Sequence, residues 1–329
     1  MSGSTAYGVT VAPIQTLGAP TTIATARLAE RLGYDSLWVA EANGSEAFSL
    51  LGAVSVAAPA LGLGTGVLAL QLRTPPLAAM AAATLQQLAP ERDVYLGIGI
   101  SSPVVAGRWH GASYGDRPLA QIREYVALVR ECLSGETVSF DGDFYRVSRF
   151  RLGLRATERK PNIVIGALNA GMLKLAGEIA DGVLLNYLPA SHVPWSVDQI
   201  RAGGPATVYA YVHVGVTDRD RYAEAARRDL FSYAVVDAYA ANFSRAGYED
   251  SVAEVRAHHD ARERDAAVAA VSDAWVDGVQ IMGDEKHVQR AVQEYVDAGV
   301  EKPIVFPLPW AEDRNAVVEQ TLSAALPAK

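Results

Sequence analysis

Two side chains in this 329-residue sequence have the type and setting for proton transfer. Glu41 ends the apolar run Trp38-Val39-Ala40-Glu41, at what reads as the end of a strand. A carboxylate there can act as a general acid or base, or accept a hydrogen bond from a bound ring. A structural ion pair is the alternative. His110 lies beside Trp109 in an irregular segment, where an imidazole either faces substrate or is only structural. His258-His259 falls in a charged helical region, and adjacent helical residues do not share a face, so no metal site is expected there or elsewhere. Zincin, nucleophile-elbow and P-loop motifs are absent from the sequence. The one cysteine, Cys132, excludes an intramolecular disulfide and a thiolate zinc cluster, and its helical apolar neighbours mark it as buried filler.

Backbone groups offer two further sites. Leu96–Pro103 contains Gly97-x-Gly99 after a strand. The third glycine of a dinucleotide fingerprint is replaced by Ser102, Pro103 follows, and no acid closes a second strand about 20 residues on. The segment reads instead as a glycine bend whose backbone approaches a flat ring, with Ser101 and Ser102 offering hydroxyls, or as a turn required by geometry alone. In Ile165–Gly182 a strand runs through small residues into a helix with no acid in its first turn. The N–H groups of Leu168 to Gly171 form an anion site suited to phosphate, unless the small residues serve only tight packing.

These groups need elements to hold them. Nearly continuous apolar strands are expected at Ala6–Ala12, Ser36–Val39, Leu63–Leu68, Asp93–Ile98, Asn162–Gly166, Gly182–Asn186, Ala206–Gly215 and Pro303–Pro307. Helical patterns alternate with them, which means parallel strands covered on both faces. Eight strands and about eight helices fit an α/β fold of the (β/α)8 TIM-barrel type, whose chemistry lies at the C-terminal strand ends. Residues 1–329 form one domain, and the surplus length falls in insertions at 101–149, after strand four, and 219–270, after strand seven. Half the residues are hydrophobic and 20% charged, which excludes a disordered chain. A net charge of −8 (29 basic, 37 acidic) argues against nucleic-acid binding. The most apolar stretch, Leu50–Leu72, is broken by Pro59 and glycines, so no membrane span is expected and the cytoplasm is the default location.

The runs Tyr34–Leu51, Leu63–Pro103, Trp109–Val147 and Pro161–Asn186 resemble the bacterial-luciferase-like flavin family, and within it the subgroup that uses the deazaflavin coenzyme F-420. The likeness extends from Tyr7 to about Pro307 and is weakest over Val216–Ala270. It implies the same barrel, with a non-prolyl cis peptide at Gly66-Val67 against the coenzyme ring. It implies cofactor contacts at Gly99, Ile100, Ser101 and Ser102, and a phosphate turn at Ala167, Leu168, Asn169 and Ala170. Many relatives carry an acid followed by histidine after strand two; here Glu41 precedes Ala42. A second acid of the sugar-phosphate dehydrogenase falls at Ser102. Alcohol oxidation of that type is therefore disfavoured, and reduction of a C=C or C=N bond with Glu41, His110 or water as proton donor is expected. The alternatives are an FMN-dependent monooxygenase and a flavin-binding barrel without catalysis. The resemblance also implies a small-molecule substrate and a homodimer or higher homo-oligomer.

Overall fold

A computed structural model describes residues 5–155 and 157–327. Eight strands, β1 (Gly8–Thr10), β2 (Ser36–Val39), β3 (Gly62–Thr65), β4 (Val94–Gly99), β5 (Asn162–Gly166), β6 (Gly182–Leu185), β7 (Thr207–Val216) and β8 (Lys302–Pro307), close into a parallel barrel. Closure pairs β8 with β1 at Gly8↔Ile304, and β7 with both β6 and β8. Alternate residues point inward and fill the lumen. Trp38 stacks on Tyr95 at 4.8 Å between ring centroids, Tyr209 meets both at an angle, and the Lys302 ammonium lies 5.7 Å from the Tyr95 ring. The barrel is thus a packed core, not a pore.

The helices are α1 (Ala19–Leu32), α2 (Ala47–Ala57), α3 (Pro75–Leu88), α4 (Pro118–Cys132), α5 (Ala170–Ile179), α6 (Val193–Arg201) and α7 (Arg219–Ala234). After these come α8 (Asp237–Phe243), α9 (Glu249–Asp260), α10 (Arg264–Ala269), α11 (Asp273–Val279), α12 (Glu285–Asp297) and α13 (Arg314–Ala324). Local sequence sets their ends. Gly33 ends α1 in the left-handed region at φ 96°, its N–H bonded back to Ala29 and Glu30. Pro20 stands in the first turn of α1, which its fixed φ already suits. Glu46 caps α2 by accepting from the Phe48 and Ser49 N–H groups.

Both insertions carry structure. The first holds a π-helical turn at Pro103–Trp109, α4 packed on α3, and a hairpin of Val138–Asp141 with Arg146–Phe150. Cys132 is buried with Ala79, Leu128 and Val138, so it packs as expected. The second, rich in charged residues, forms helices that enclose a second apolar core. Leu230, Phe243, Val255 and Trp275 are fully buried there, because the alanines between the charges let α7 to α11 close on one another. A short strand at Ile281–Gly283, unforeseen from sequence, pairs with the end of β7. Among the described residues no helix is long and apolar enough to cross a membrane.

Candidate active site

The third strand does not run through to Leu68 as its composition suggests. It stops at Thr65, turns through a cis peptide at Gly66-Val67, and resumes at Leu68–Ala69 beside β4. Three hydrogen bonds hold this bulge. The Gly66 N–H donates to the Val39 carbonyl at 2.8 Å, the Tyr211 hydroxyl donates to the Gly66 carbonyl at 2.6 Å, and the Glu41 N–H reaches the Val67 carbonyl at 3.4 Å. The Val67 side chain, half-buried, lies over the glycine bend. A Cβ on Gly99 would sit 2.9 Å from Val67, and one on Gly166 3.3 Å, so what the glycines admit is this bulge. Ile100 and Ser101 follow, half-buried, and the Ser102 hydroxyl accepts from the Val105 N–H to cap the π-helical turn.

Glu41 stands beside the bulge, but its carboxylate is engaged. Oε2 accepts from the Ala47 N–H at 2.9 Å and from Arg73 at 3.2 Å. Arg73 also pairs with Glu46 and lies over the Phe48 ring, joining β2, α2 and the approach to α3. The first insertion brings His110 to the same loop, where its Nε2 donates to the Ala42 carbonyl at 2.5 Å. A carbonyl only accepts, so this bond requires a proton on Nε2. Neighbouring Trp109 is 56% exposed.

On the other side of Val67, Gly166 leads into the expected phosphate turn. Ala167 is buried and donates to the Leu184 carbonyl. Asn169 occupies the N-cap of α5 but does not cap it. Its Nδ2 instead donates to the Ala238 carbonyl at 3.3 Å, and its Oδ1 accepts from Arg245, which also donates to the Leu168 carbonyl. Both partners come from the second insertion. With no acid and no side-chain cap, the first N–H groups of α5 from Ala170 onward remain donors for an anion. Arg245, lying over the Trp195 ring, is the nearby cation that sequence reading did not identify.

A third group was also missed. His213 follows Tyr209 and Tyr211 on the inward face of β7 and is 1% exposed, stacked 3.9 Å from Phe306. Its Nε2 bonds Asn186 Oδ1 at 2.9 Å, while Nδ1 is buried without a partner. Burial pushes its imidazole down to about 3, so it is neutral. Asp229 of α7 receives the Tyr187 hydroxyl at 3.0 Å and the Gln280 amide. Burial pushes its carboxyl up to about 6 against those hydrogen bonds. Tyr187 closes β6 at φ 51°, unusual for a non-glycine residue, with its carbonyl held by the buried Asn242 amide. The inward alternation of β7 could have flagged His213. Nothing distinguishes Asp229 from the other acids of its segment before the chain folds.

The sequence profile of the luciferase-like monooxygenase family matches residues 5–302. The chain belongs to this family. A Mycobacterium tuberculosis relative named as a coenzyme F-420-dependent oxidoreductase is 30% identical over 311 residues, 84% of this chain and 88% of the relative. The 5,10-methylenetetrahydromethanopterin reductase of Archaeoglobus fulgidus is 29% identical, covering 89% of this chain and 91% of its own. Among solved structures, the coenzyme F-420-dependent tetrahydromethanopterin reductase from Methanopyrus kandleri superposes with a TM-score of 0.77 at 22% identity. It covers 97% of this chain and 98% of its own. An F-420-dependent secondary alcohol dehydrogenase gives 0.73 at 16% identity, covering 99% and 100%. The shared luciferase-like barrel includes both insertions within that coverage.

Proposed function

We propose that this protein is a coenzyme F-420-dependent oxidoreductase that reduces a C=C or C=N bond of a small organic substrate. The observation that supports this most directly is the meeting of the Val67 bulge after β3 with Gly166 and the uncapped start of α5 after β5. A flat ring over the bulge and a phosphate at the turn would be held together there. In our assignment Gly66, Val67, Gly99, Ile100, Ser101 and Ser102 border the ring. Ala167, Leu168, Asn169 and Ala170 receive the phosphate through backbone N–H groups, with Arg245 adding charge. When bound, the coenzyme supplies a hydride, and the protein supplies position and surroundings. We assign Glu41 to hold Arg73 and the start of α2, since both of its partners are donors. His110, with Trp109, borders the substrate space.

The Mycobacterium tuberculosis relative named for F-420, matched over 84% of this chain and 88% of its own, favours this coenzyme over FMN. Fluorescence titration of the purified protein with F-420 tests it. Saturable binding, followed by oxidation of the reduced coenzyme by an acceptor, is expected. Tight FMN that consumes oxygen would select a monooxygenase, and binding with no turnover a carrier barrel. We further propose a cytoplasmic homodimer. Leu77, Met80 and Leu88 of α3, 45–50% exposed, and Val56 of α2, 79% exposed, form the apolar face for the second copy.

A further inference from the structure

We propose that the second insertion supplies the proton of the reaction: Asp229 is the reservoir of a buried relay that runs through the hydroxyls of Tyr187 and Tyr233 toward the barrel mouth. This deepens the hydride-transfer assignment above and rests on it.

Three elements converge on Asp229. Tyr187 comes from the end of β6, Tyr233 from α7 itself and Gln280 from the segment entering Ile281–Gly283. Tyr239 of α8 completes the ring of titratable neighbours, 4.8 Å from Tyr233 between ring centroids. No cation pairs with Asp229 among the described residues. A carboxyl used only to anchor α7 is a poor choice, because a well-packed apolar side chain anchors without the desolvation cost. The Tyr187 and Tyr233 rings are 3.9 Å apart, and Tyr233 is half-buried where Tyr187 is 2% exposed. Each hydroxyl both donates and accepts, so a proton can pass along the row without either tyrosine ionising. Tyr239 of α8 packs on Tyr233, and the adjoining Ala238 touches the phosphate turn through Asn169, so the tyrosine row lies beside the mouth. The buried His213 ring lies 4.4 Å from that of Tyr187 and lines the same cluster.

The chemistry balances. Reduction adds a hydride from the reduced deazaflavin to one atom of the C=C or C=N bond. The displaced electron pair goes to the other atom, which takes a proton. Asp229 gives that proton through Tyr187 and Tyr233, becomes a carboxylate, and is recharged from solvent by the same route.

Two measurements test the relay. In protein labelled with ¹³C at aspartate, without coenzyme, Asp229 should titrate near pH 6, identified by its loss in Asp229→Asn. Tyr187→Phe should move that titration. A titration in the ordinary carboxylate range, or one indifferent to Tyr187→Phe, overturns the proposal. In single turnover, with reduced F-420 bound and 2-cyclohexen-1-one as the C=C probe, the wild-type rate should fall as pH rises through 6. Asp229→Asn should be flat with pH and about 100-fold slower at pH 5, with coenzyme affinity unchanged. An Asp229→Asn profile that tracks wild type overturns the relay alone. Failure of wild type to bind reduced F-420 removes the hydride-transfer assignment instead.

Discussion

His213 and Asp229 oppose each other in their effect on stability against pH. The carboxyl is raised in the fold, so its protonated form contributes stability at low pH that is lost as pH rises from 3.8 to about 6. The imidazole is lowered, so its contribution is present above 6.5 and lost as pH falls toward about 3. Between pH 4 and 6 the two slopes cancel in part. Asp229→Asn should therefore unmask the histidine. Denaturant unfolding at pH 4, 5, 6 and 7 is expected to show a steeper loss on acidification than wild type, by on the order of 3 kcal/mol across the window. His213→Gln should tilt the curve the other way. Equal slopes in all three proteins would mean that neither group is buried as described. Glu41 was legible as a residue of the barrel mouth from its place at a strand end. Its engagement by Arg73 was not, because Arg73 lies 32 residues away and only the barrel brings the two together.

The turn between β5 and α5 joins two properties that one substitution can separate. A glutamate at the first helical position favours the helix through its dipole, yet repels an anion at the same N–H groups. Ala170→Glu, at an exposed position, should leave the melting temperature unchanged or slightly higher. It should weaken F-420 binding by about 5- to 30-fold, the range of a helix-end charge. Unaltered affinity would place the phosphate elsewhere. Tyr211→Phe addresses the bulge. It leaves the buried Gly66 carbonyl without its hydroxyl donor and should cost about 1–3 kcal/mol in unfolding free energy. This element was readable in part. Small residues and missing acids announced the turn, whereas Asn169 facing the insertion instead of capping α5 depends on where Ala238 and Arg245 arrive.

At the scale of the molecule, the acidic chain holds its proposed anionic cofactor with local donors rather than a general positive field. Arg245, from the second insertion, and the start of α5 concentrate them at one strand end. The other surface property is the apolar face of α3. Met80→Asp, on a half-exposed site away from the barrel mouth, should shift the sedimentation profile from dimer toward monomer while the far-ultraviolet spectrum stays native. A monomeric wild type would remove the proposed dimer.

The order of strands and helices and the closed barrel were determined by the sequence, because apolar periodicity and turn residues act over a few positions. The two insertions were visible as interruptions of that rhythm. What they deliver was decided by the tertiary structure alone. A buried carboxyl, a neutral histidine and an arginine at the phosphate turn owe their roles to neighbours 27 to 77 residues distant along the chain. Burial and hydrogen bonding fix the state of such groups, and both exist only once strands β6 and β7 and helices α7 and α8 have packed together.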